Sequence, residues 1–558
     1  MSMIKEQMLH LPQGQISTRV GRDKHGYVGR AVRALEAKAR TARPTTYVSR
    51  RTSKRDGVCN PVPNVSIAIA SISFFKRFRR GKSSVRHGWN ASFACPLVIH
   101  RVTSRQSLQA ILIFSLIMTV CVFGVGDARS ANKQRSAEAP VTTINLWAHS
   151  AANSAEYAVL KVSADRYNAG RHGYRVEVWP STFRGYDEQI NSAAATGSLP
   201  CLLEADGPFL YSLAWRGYLQ PIDQLLPKSL LDDVLPSILA QGRYDGRLYS
   251  LGQFDSGLAL WGNRRMLVKA DVRIPTLKAP WTLAEFELAL DKLSKLPGAV
   301  AAIEMGTYLH SGEFYPYAYS PILQGFGGDL IDRSNYLSAK GVLDGPQSVA
   351  AMTHFQQWFK KGWARADALL TEADGQRKVG LNRIDQLPVD NFVNGKMALS
   401  WFGHWQYPWY SRELGQDLLL LPLPDFGRGI KTAMGSWSLA ISSTCNDPAG
   451  AASFLNYLMS KKEILRMTDA NGAVPARRSA LAKSKLYSER GPLSLYAQQL
   501  NAGMGVPRPN TPAYGTISRV FSNAAAAIIA GADVQAELSR AAALIDQDIA
   551  ESRGYLND

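Results

Sequence analysis

Between residues 141 and 210 the spacing of apolar positions changes period repeatedly. Thr143-Ile-Asn-Leu-Trp147 alternates and is rich in strand formers, and it runs straight into Ala-His-Ser-Ala. That predicts a strand ending in a polar loop. Asn153 to Asn168 carries Ala155, Val159, Val162 and Tyr167 at helical spacing. Tyr174-Arg-Val-Glu-Val-Trp179 predicts a second strand. Tyr186 to Thr196 predicts a helix that stops at Gly197-Ser-Leu-Pro200. Cys201-Leu-Leu-Glu-Ala205 predicts a buried strand, with Asp206-Gly207-Pro208 at its exit. Strand, helix, strand, helix, strand implies βαβ units and a parallel sheet. Ligands of such sheets sit at the carboxyl ends of the strands. Trp147 to Ser150 and Asp206-Gly207 therefore share one rim.

The later part of the chain is more helical. Trp281-Thr-Leu-Ala-Glu-Phe286 opens a helix, with Thr282 as N-cap and Glu285 as its capping-box partner. Gly345 to Lys361 and Ala449 to Ser460 are amphipathic. The C-terminal helix Ala532–Ser552 places Val534, Leu538, Ala541, Ile545 and Ile549 on one face. Residues 141–558 contain no internal repeat and no low-complexity linker. Two domains in this stretch would have to be interwoven rather than tethered.

Charge separates the chain into two parts. Of 558 residues, 64 are Lys or Arg and 45 are Asp or Glu, a formal net of +19. Residues 1–107 hold 21 of the basic and 4 of the acidic residues; the rest holds 43 and 41. The remainder is close to neutral, so its composition gives no argument for a polyanion partner. Residues 1–100, with the patch Phe74-Phe-Lys-Arg-Phe-Arg-Arg80, show no sustained helical or strand period. They are expected to be a disordered extension, or to precede the working start of translation. Gln106 to Gly126 contains no charge, follows Arg101 and Arg105, and ends in small residues at Gly126-Asp-Ala128. A basic flank, an apolar run and a small-residue exit form a secretory signal. The alternative is a single uncleaved anchor, because the run is long enough to span a bilayer. Residues 101–128 are thus signal peptide or membrane anchor, and 129–140 a polar spacer. Cys121 follows Val120 where a lipoprotein signal has a small residue. Export leads to a periplasmic or extracellular location.

Beyond this segment only Cys201 and Cys445 remain, either as one disulfide or as two buried thiols. There is no GxSxG, Walker A, HExxH or strand-borne GxGxxG, and no close His pair among His149, His172, His310, His354 and His404. No catalytic residue, metal site or cofactor is expected. Paired carboxylates acting on glycans stay open as the enzymatic alternative. A second alternative is a nucleic-acid or membrane-surface protein acting through residues 1–107. Aromatics at expected loop positions are a stronger signal: Trp147, Phe254, Tyr308, Tyr315, Tyr317, Trp401, Trp405, Trp409 and Trp437. Each alone is more often core packing. As a set, flat aromatic faces with nearby amides, carboxylates and Arg suit the C–H faces and hydroxyl rims of sugars.

A family resemblance joins these features. Ile144-Asn-Leu-Trp-Ala-His149 resembles the first strand and ligand loop of the extracellular solute-binding proteins of ABC transporters, in the sugar-binding group. Gly197 to Pro208 with Gly217-Tyr-Leu-Gln-Pro-Ile-Asp223 resembles that group's next conserved stretch. Tyr244 to Gly252 with Leu258-Ala-Leu-Trp-Gly-Asn263 resembles its crossing between lobes. Trp281 to Phe286, Phe392-Val-Asn-Gly-Lys-Met-Ala-Leu399, Gly403-His-Trp405, Gly435-Ser-Trp437, Asn471-Gly-Ala-Val-Pro475 and Arg508 to Tyr514 follow in the same order. Cys201 stands where the group usually has Asp, and Trp261-Gly262 where Tyr usually precedes Asn263.

The resemblance implies an α/β, two-lobed periplasmic-binding-protein fold (type II) with discontinuous lobes joined by hinge crossings. Lobe one is expected at 141–254 plus 400–460, and lobe two at 255–399 plus 461–558. Cleft residues carried over by motif are Trp147, His149, Asp206, Gly207, His404, Trp405, Ser436 and Trp437 from lobe one. The crossing adds Phe254 and Asp255, and lobe two adds Glu313, Tyr315, Arg508 and Tyr514. The aromatics are expected to stack on sugar rings, and Asp206, Asp255, Glu313 and Arg508 to bond hydroxyls. The implied partners are a small sugar and the membrane permease subunits, with no nucleic acid and a monomeric state.

Overall fold

The structure, a computed structural model, describes residues 141–170, 173–181, 185–307, 312–366 and 390–556. They belong to one compact unit spanning 129–558. The basic extension, the apolar segment and its spacer, Tyr308, His172 and His310 lie outside the described residues.

The period-of-two segments form the first sheet. Strand Thr142–Ala151 pairs in parallel with Tyr174–Ser181 on one side and Leu202–Asp206 on the other. Trp437–Ile441 adds antiparallel to Leu202–Asp206, and Ser250–Leu251 follows at the edge. Helix Ala155–Asn168, N-capped by Ser154, returns from the first strand to the second, and Tyr186–Ala195 from the second to the third. The helices begin and end within two residues of where the hydrophobic pattern puts them, but the first strand runs on to Ala151: Ala148 to Ala151, expected as a polar loop, are strand, because Ala148, His149 and Ser150 are buried. Ile144, Leu146, Leu202, Leu439 and Ile441 bury one face of this sheet; Leu203, Ala205 and Ala440 bury the other.

A second sheet carries the order Leu418–Leu421, Leu258–Asn263, Leu399–Gly403, Ile303–Glu304. Its large core includes Phe286, Phe355, Trp358, Trp401, Leu538 and Ile545. Thr282 and Glu285 form the expected capping box. The C-terminal helix runs Val534–Glu551 and buries Val534, Leu538, Ala541, Ile545 and Ile549, the stripe seen in the sequence. Together the two sheets and their flanking helices make the α/β, two-lobed architecture.

Among the described residues the chain passes between the lobes three times. Phe254–Asp255 leads from the first lobe into Leu258–Asn263. Thr432–Met434 leads back into Trp437–Ile441. Val474–Pro475 pairs with Phe254–Asp255, and Gly505–Pro507 with Thr432–Met434, so the crossings are stitched together. The expected lobe limits differ from this pairing. Leu399–Gly403 and Leu418–Leu421 are strands of the second sheet, and the Trp401 indole donates to the Ala318 carbonyl at 3.0 Å. Helix Lys461–Asn471 belongs instead with the first lobe, where Glu463 accepts from Ser163 at 2.7 Å. Motif order fixes sequence position but not the sheet a strand joins.

Cys201 and Cys445 form a disulfide with Cα atoms 4.3 Å apart. It ties the start of strand Leu202–Asp206 to the loop after Trp437–Ile441, two neighbouring strands. The unusual Cys201 thus has a partner in the loop that follows the neighbouring strand. Among the described residues no helix is long and apolar enough to cross a membrane.

Candidate functional site

Most of the candidate residues lie where the lobes meet, in three linked groups. The first centres on Arg508, which is buried. Its Nη1 donates to Asp206 Oδ2 at 2.6 Å and its Nη2 to Asp206 Oδ1 at 2.5 Å, a two-pronged pair. Nη1 also donates to Glu313 Oε1 at 2.6 Å. Asp206 ends a strand of the first lobe, while Glu313 precedes helix Phe314–Phe326 of the second, so Arg508 joins the two. Glu313 is held by Tyr514 at 2.5 Å and Ser518 at 2.7 Å. Those two lie four apart on helix Tyr514–Ile529, hence on one face. The guanidinium also lies 5.1 Å from the Tyr317 ring centre. Burial alone would weaken the Arg508 charge, but Asp206 and then Glu313 outweigh it and hold Arg508 charged. Burial pushes the Glu313 carboxyl up, against the pull of Arg508.

The second group surrounds His149. Its ring stacks on Trp437 with centroids 4.0 Å apart and planes 9° apart. Nε2 lies 3.1 Å from Glu156 Oε2, in hydrogen-bond geometry. Nδ1 lies 2.8 Å from Glu204 Oε2, an ion-pair distance at an angle unsuited to a hydrogen bond. Burial opposes the charge, but Glu204 and then Glu156 outweigh it and raise the imidazole to about 10. Glu156 is desolvated too, yet His149 holds it down to about 2.

The third group is built on His404 and Trp405. Glu156 accepts from Asn471 at 2.8 Å, and the Asn471 carbonyl lies 2.8 Å from His404 Nδ1. A carbonyl can only accept, so Nδ1 carries the proton and Nε2 is left as an acceptor. Burial lowers His404 to about 4, so it is a neutral ring. Trp405 stands beside it, 37 % exposed, with Tyr317 at 6.1 Å and Phe254 edge-on to His404 at 6.2 Å. Trp405 folds over the Cα of Gly403, where a Cβ would meet its ring.

Other candidates serve the frame. Asp255 is wholly buried and accepts from Ser237 at 2.6 Å, Ser256 N at 2.8 Å and Gly435 N at 3.1 Å. With its oxygens occupied it fixes two crossings to each other rather than facing a ligand. Burial raises its pKa despite these donors. Gly435 has φ +113°, and a Cβ there would lie 2.9 Å from Gln241 and 3.1 Å from Arg508. Gly207 N donates to the Ser436 carbonyl at 3.1 Å. Tyr315 turns away from the cleft: it is buried in the second lobe's core, 4.9 Å from Tyr319, and its hydroxyl donates to the Thr307 carbonyl. Tyr315 and Tyr317 lie on a helix rather than a loop, and Trp401 is a core strand residue. Trp147 lies on the flank of the first sheet, beside Trp179 and Tyr186.

Asp187, which no motif singled out, and Tyr317, expected only as one of a set of aromatics, both belong to the site. Burial, then the nearby Asp206 and Glu313, push Asp187 up to about 7. Tyr317 bonds Ser256 at 2.7 Å and bridges Arg508 and Trp405. Its spacing of four from Glu313 was a usable signal for a shared helical face. A recess between Arg508, Gly435 and Tyr211 is about 10 Å³, room for about one water. Among the described residues no three His, Cys, Asp or Glu side chains are placed to hold a metal ion.

A model of the family described as bacterial extracellular solute-binding protein matches residues 163–491. A curated relative, an uncharacterised lipoprotein in the oleD 5′ region of Streptomyces antibioticus, is 22% identical over 341 residues, covering 60% of this chain and 70% of that one. The GacH receptor of Streptomyces glaucescens, solved unliganded and with acarbose, is similar in fold at TM-score 0.59. It is 22% identical, over 74% of this chain and 98% of that one. A solute-binding protein of an ABC transporter from Thermotoga lettingae, bound to α-D-tagatose, superposes at TM-score 0.60 with 20% identity, over 73% and 99% of the two chains. An ABC substrate-binding protein from Listeria monocytogenes in complex with cycloalternan gives 0.60 with 18% identity, over 73% and 99%.

Proposed function

We propose that this chain, which belongs to the bacterial extracellular solute-binding protein family, is the binding component of an ABC importer, taking a neutral saccharide between its lobes and delivering it to a membrane permease. The observation that carries the reading is the environment of Trp405. An indole 37 % exposed stands among buried polar groups where the lobes meet. Among the described residues around it, Arg508 has Asp206 and Glu313 and His149 has Glu156 and Glu204, while burial and its acidic neighbours push Asp187 towards its neutral form. What remains for a ligand is an aromatic face and uncharged donors and acceptors such as His404 Nε2 and Ser436. That suits a hydroxyl-rich, uncharged solute. The sugars bound by the structurally similar receptors support the same class.

The Asp206–Arg508–Glu313 bridge makes this a closed arrangement. Ligand entry parts the lobes about the three crossings, and closure over the sugar restores the bridge. Burying sugar hydroxyls demands partners for nearly all of them, since an unpaired buried polar group costs about 1–3 kcal/mol. Discrimination between epimers follows. The protein binds without chemistry and, as an exported receptor, acts outside the cytoplasmic membrane as a monomer. Calorimetric titration with a panel of neutral mono- and oligosaccharides tests the reading. Binding of one of them, weakened in Trp405→Ala, supports it; turnover of a glycan in place of simple binding overturns it.

A further inference from the structure

A recess of about 450 Å³ opens on the flank of the first lobe, within the usual size of small-ligand sites, about 300–1,000 Å³. Its floor is Trp147 and Trp179, register partners on adjacent parallel strands. Partners in such a pair point to the same face, with backbones about 4.8 Å apart. Two indoles therefore lie side by side. Trp147 is half-buried and Trp179 is 57 % exposed. Asn145, two positions before Trp147, shares that face. Tyr186 and Gln189 of helix Tyr186–Ala195 form a wall, and Ser198 closes one end. The Tyr186 hydroxyl bonds the Trp147 and Glu204 carbonyls at 3.1 and 2.8 Å, which fixes the wall to the sheet.

This recess is separate from the cleft. The cleft groups His149 and Asp206 sit at the carboxyl ends of their strands. Asn145 and Ser198 lie towards the opposite ends, Ser198 preceding its strand altogether. Among the described residues the lining contains no charged side chain. It offers two flat aromatic faces, two primary amides and a hydroxyl. Those described residues offer an ionic ligand no counter-charge. A purely apolar one would leave the amides of Asn145 and Gln189 unpaired, at a cost of about 1–3 kcal/mol for each one buried.

We infer that the flank recess is a second saccharide site, taking one or two rings of a neutral glycan on the Trp147–Trp179 platform, with Asn145, Gln189 and Ser198 bonding its hydroxyls. It operates independently of the cleft and does not require the cleft to bind sugar. Such a site would hold the receptor near a glycan-rich surface or polymer while the cleft samples shorter solutes.

The test is saturation-transfer NMR with maltose, cellobiose, mannobiose and lactose at millimolar concentration, on the unaltered chain, Trp179→Ala and Trp405→Ala. An exposed side chain such as Trp179 can be truncated without loss of core packing. The expected result is at least one disaccharide whose signal persists in Trp405→Ala and falls about fivefold or more in Trp179→Ala, the scale of one lost aromatic stack. If no disaccharide shows dependence on Trp179, the second site is overturned. A signal lost in Trp405→Ala and untouched in Trp179→Ala also overturns it, while leaving the cleft reading intact. Should Trp179→Ala lower the melting temperature, Gln189→Ala on the exposed helix face replaces it as the reporter, with the same two outcomes.

Discussion

Replacing Arg508 by Met removes the cation that joins the lobes while keeping most of the side chain's length. In the closed arrangement Asp206 would lose a two-pronged partner and Glu313 a 2.6 Å contact. Stripping one member from a buried ion pair costs about 3–5 kcal/mol, because the charge left behind is desolvated. Here two carboxylates are left, with Asp187 close by. Opening the lobes returns them to water, so the cost falls on the closed state and not on the fold of either lobe. At about 1.4 kcal/mol per decade, the closed-to-open ratio drops by roughly two to three and a half decades. Small-angle scattering reads this directly. The unaltered chain should give the compact distance distribution and Arg508→Met a larger radius of gyration, with little change in the denaturant midpoint. An Arg508→Met protein with an unchanged radius and distance distribution would refute the reasoning, because the bridge would then not hold the lobes together.

Other consequences can be checked more briefly. Asp187 titrates at about 7 in the closed cleft against 3.8 when free. The closed state therefore binds the proton more tightly and is favoured as pH falls from about 7 towards 4. Scattering of the unaltered chain should stay compact at pH 5, with any expansion confined to the alkaline end of the range from pH 5 to 8 and absent in Asp187→Asn. His149 is raised from 6.5 to about 10. Its stabilisation is complete below 6.5 and is lost as pH rises through about 10; thermal melts of His149→Gln should lack that alkaline decline. Trp405→Ala should weaken saccharide binding about tenfold by calorimetry at unchanged melting temperature, the size of one lost stack plus its buried area. Cys201→Ser should lower stability by about 2–5 kcal/mol in denaturant titration, and thiol titration of the unaltered folded chain should find neither Cys201 nor Cys445 free.

Much of the fold was legible because strand and helix periods differ. The first three strands and the C-terminal helix show clean patterns, whereas helix Ala155–Asn168 buries Leu160, Ser163, Ala164 and Tyr167 and leaves the expected Ala155 and Val162 exposed, since its apolar residues are spread around the helix. Helix Phe314–Phe326 was not legible: it contains Pro316 and Pro321 and is buried on most sides, so it has no polar stripe to mark it. Helix Tyr514–Ile529 hides for a similar reason, being rich in small buried residues. Lobe membership of Leu399–Gly403 depends on pairing across more than a hundred residues, which no local pattern encodes. Within the site, Asp206, Arg508, His149 and Trp405 were visible as motif positions, but their roles were not. Arg508 and Asp206 neutralise each other across the lobes, and Asp255 is consumed by hinge amides. Tyr315 and Tyr317 are two apart on one helix, and helical geometry sends the first to the core and the second to the cleft. Trp147, expected in the cleft, instead shares a floor with Trp179 because the two are register partners.

The central claim is that a neutral saccharide binds between the lobes and holds them closed. Scattering on the Arg508→Met protein, with and without the saccharide that binds the unaltered chain, tests it most directly. The account predicts an expanded free form that contracts towards the compact one as the saccharide saturates it, with weakened affinity. Binding that leaves the expanded form expanded, or contraction by a charged solute and by no neutral saccharide, would contradict it.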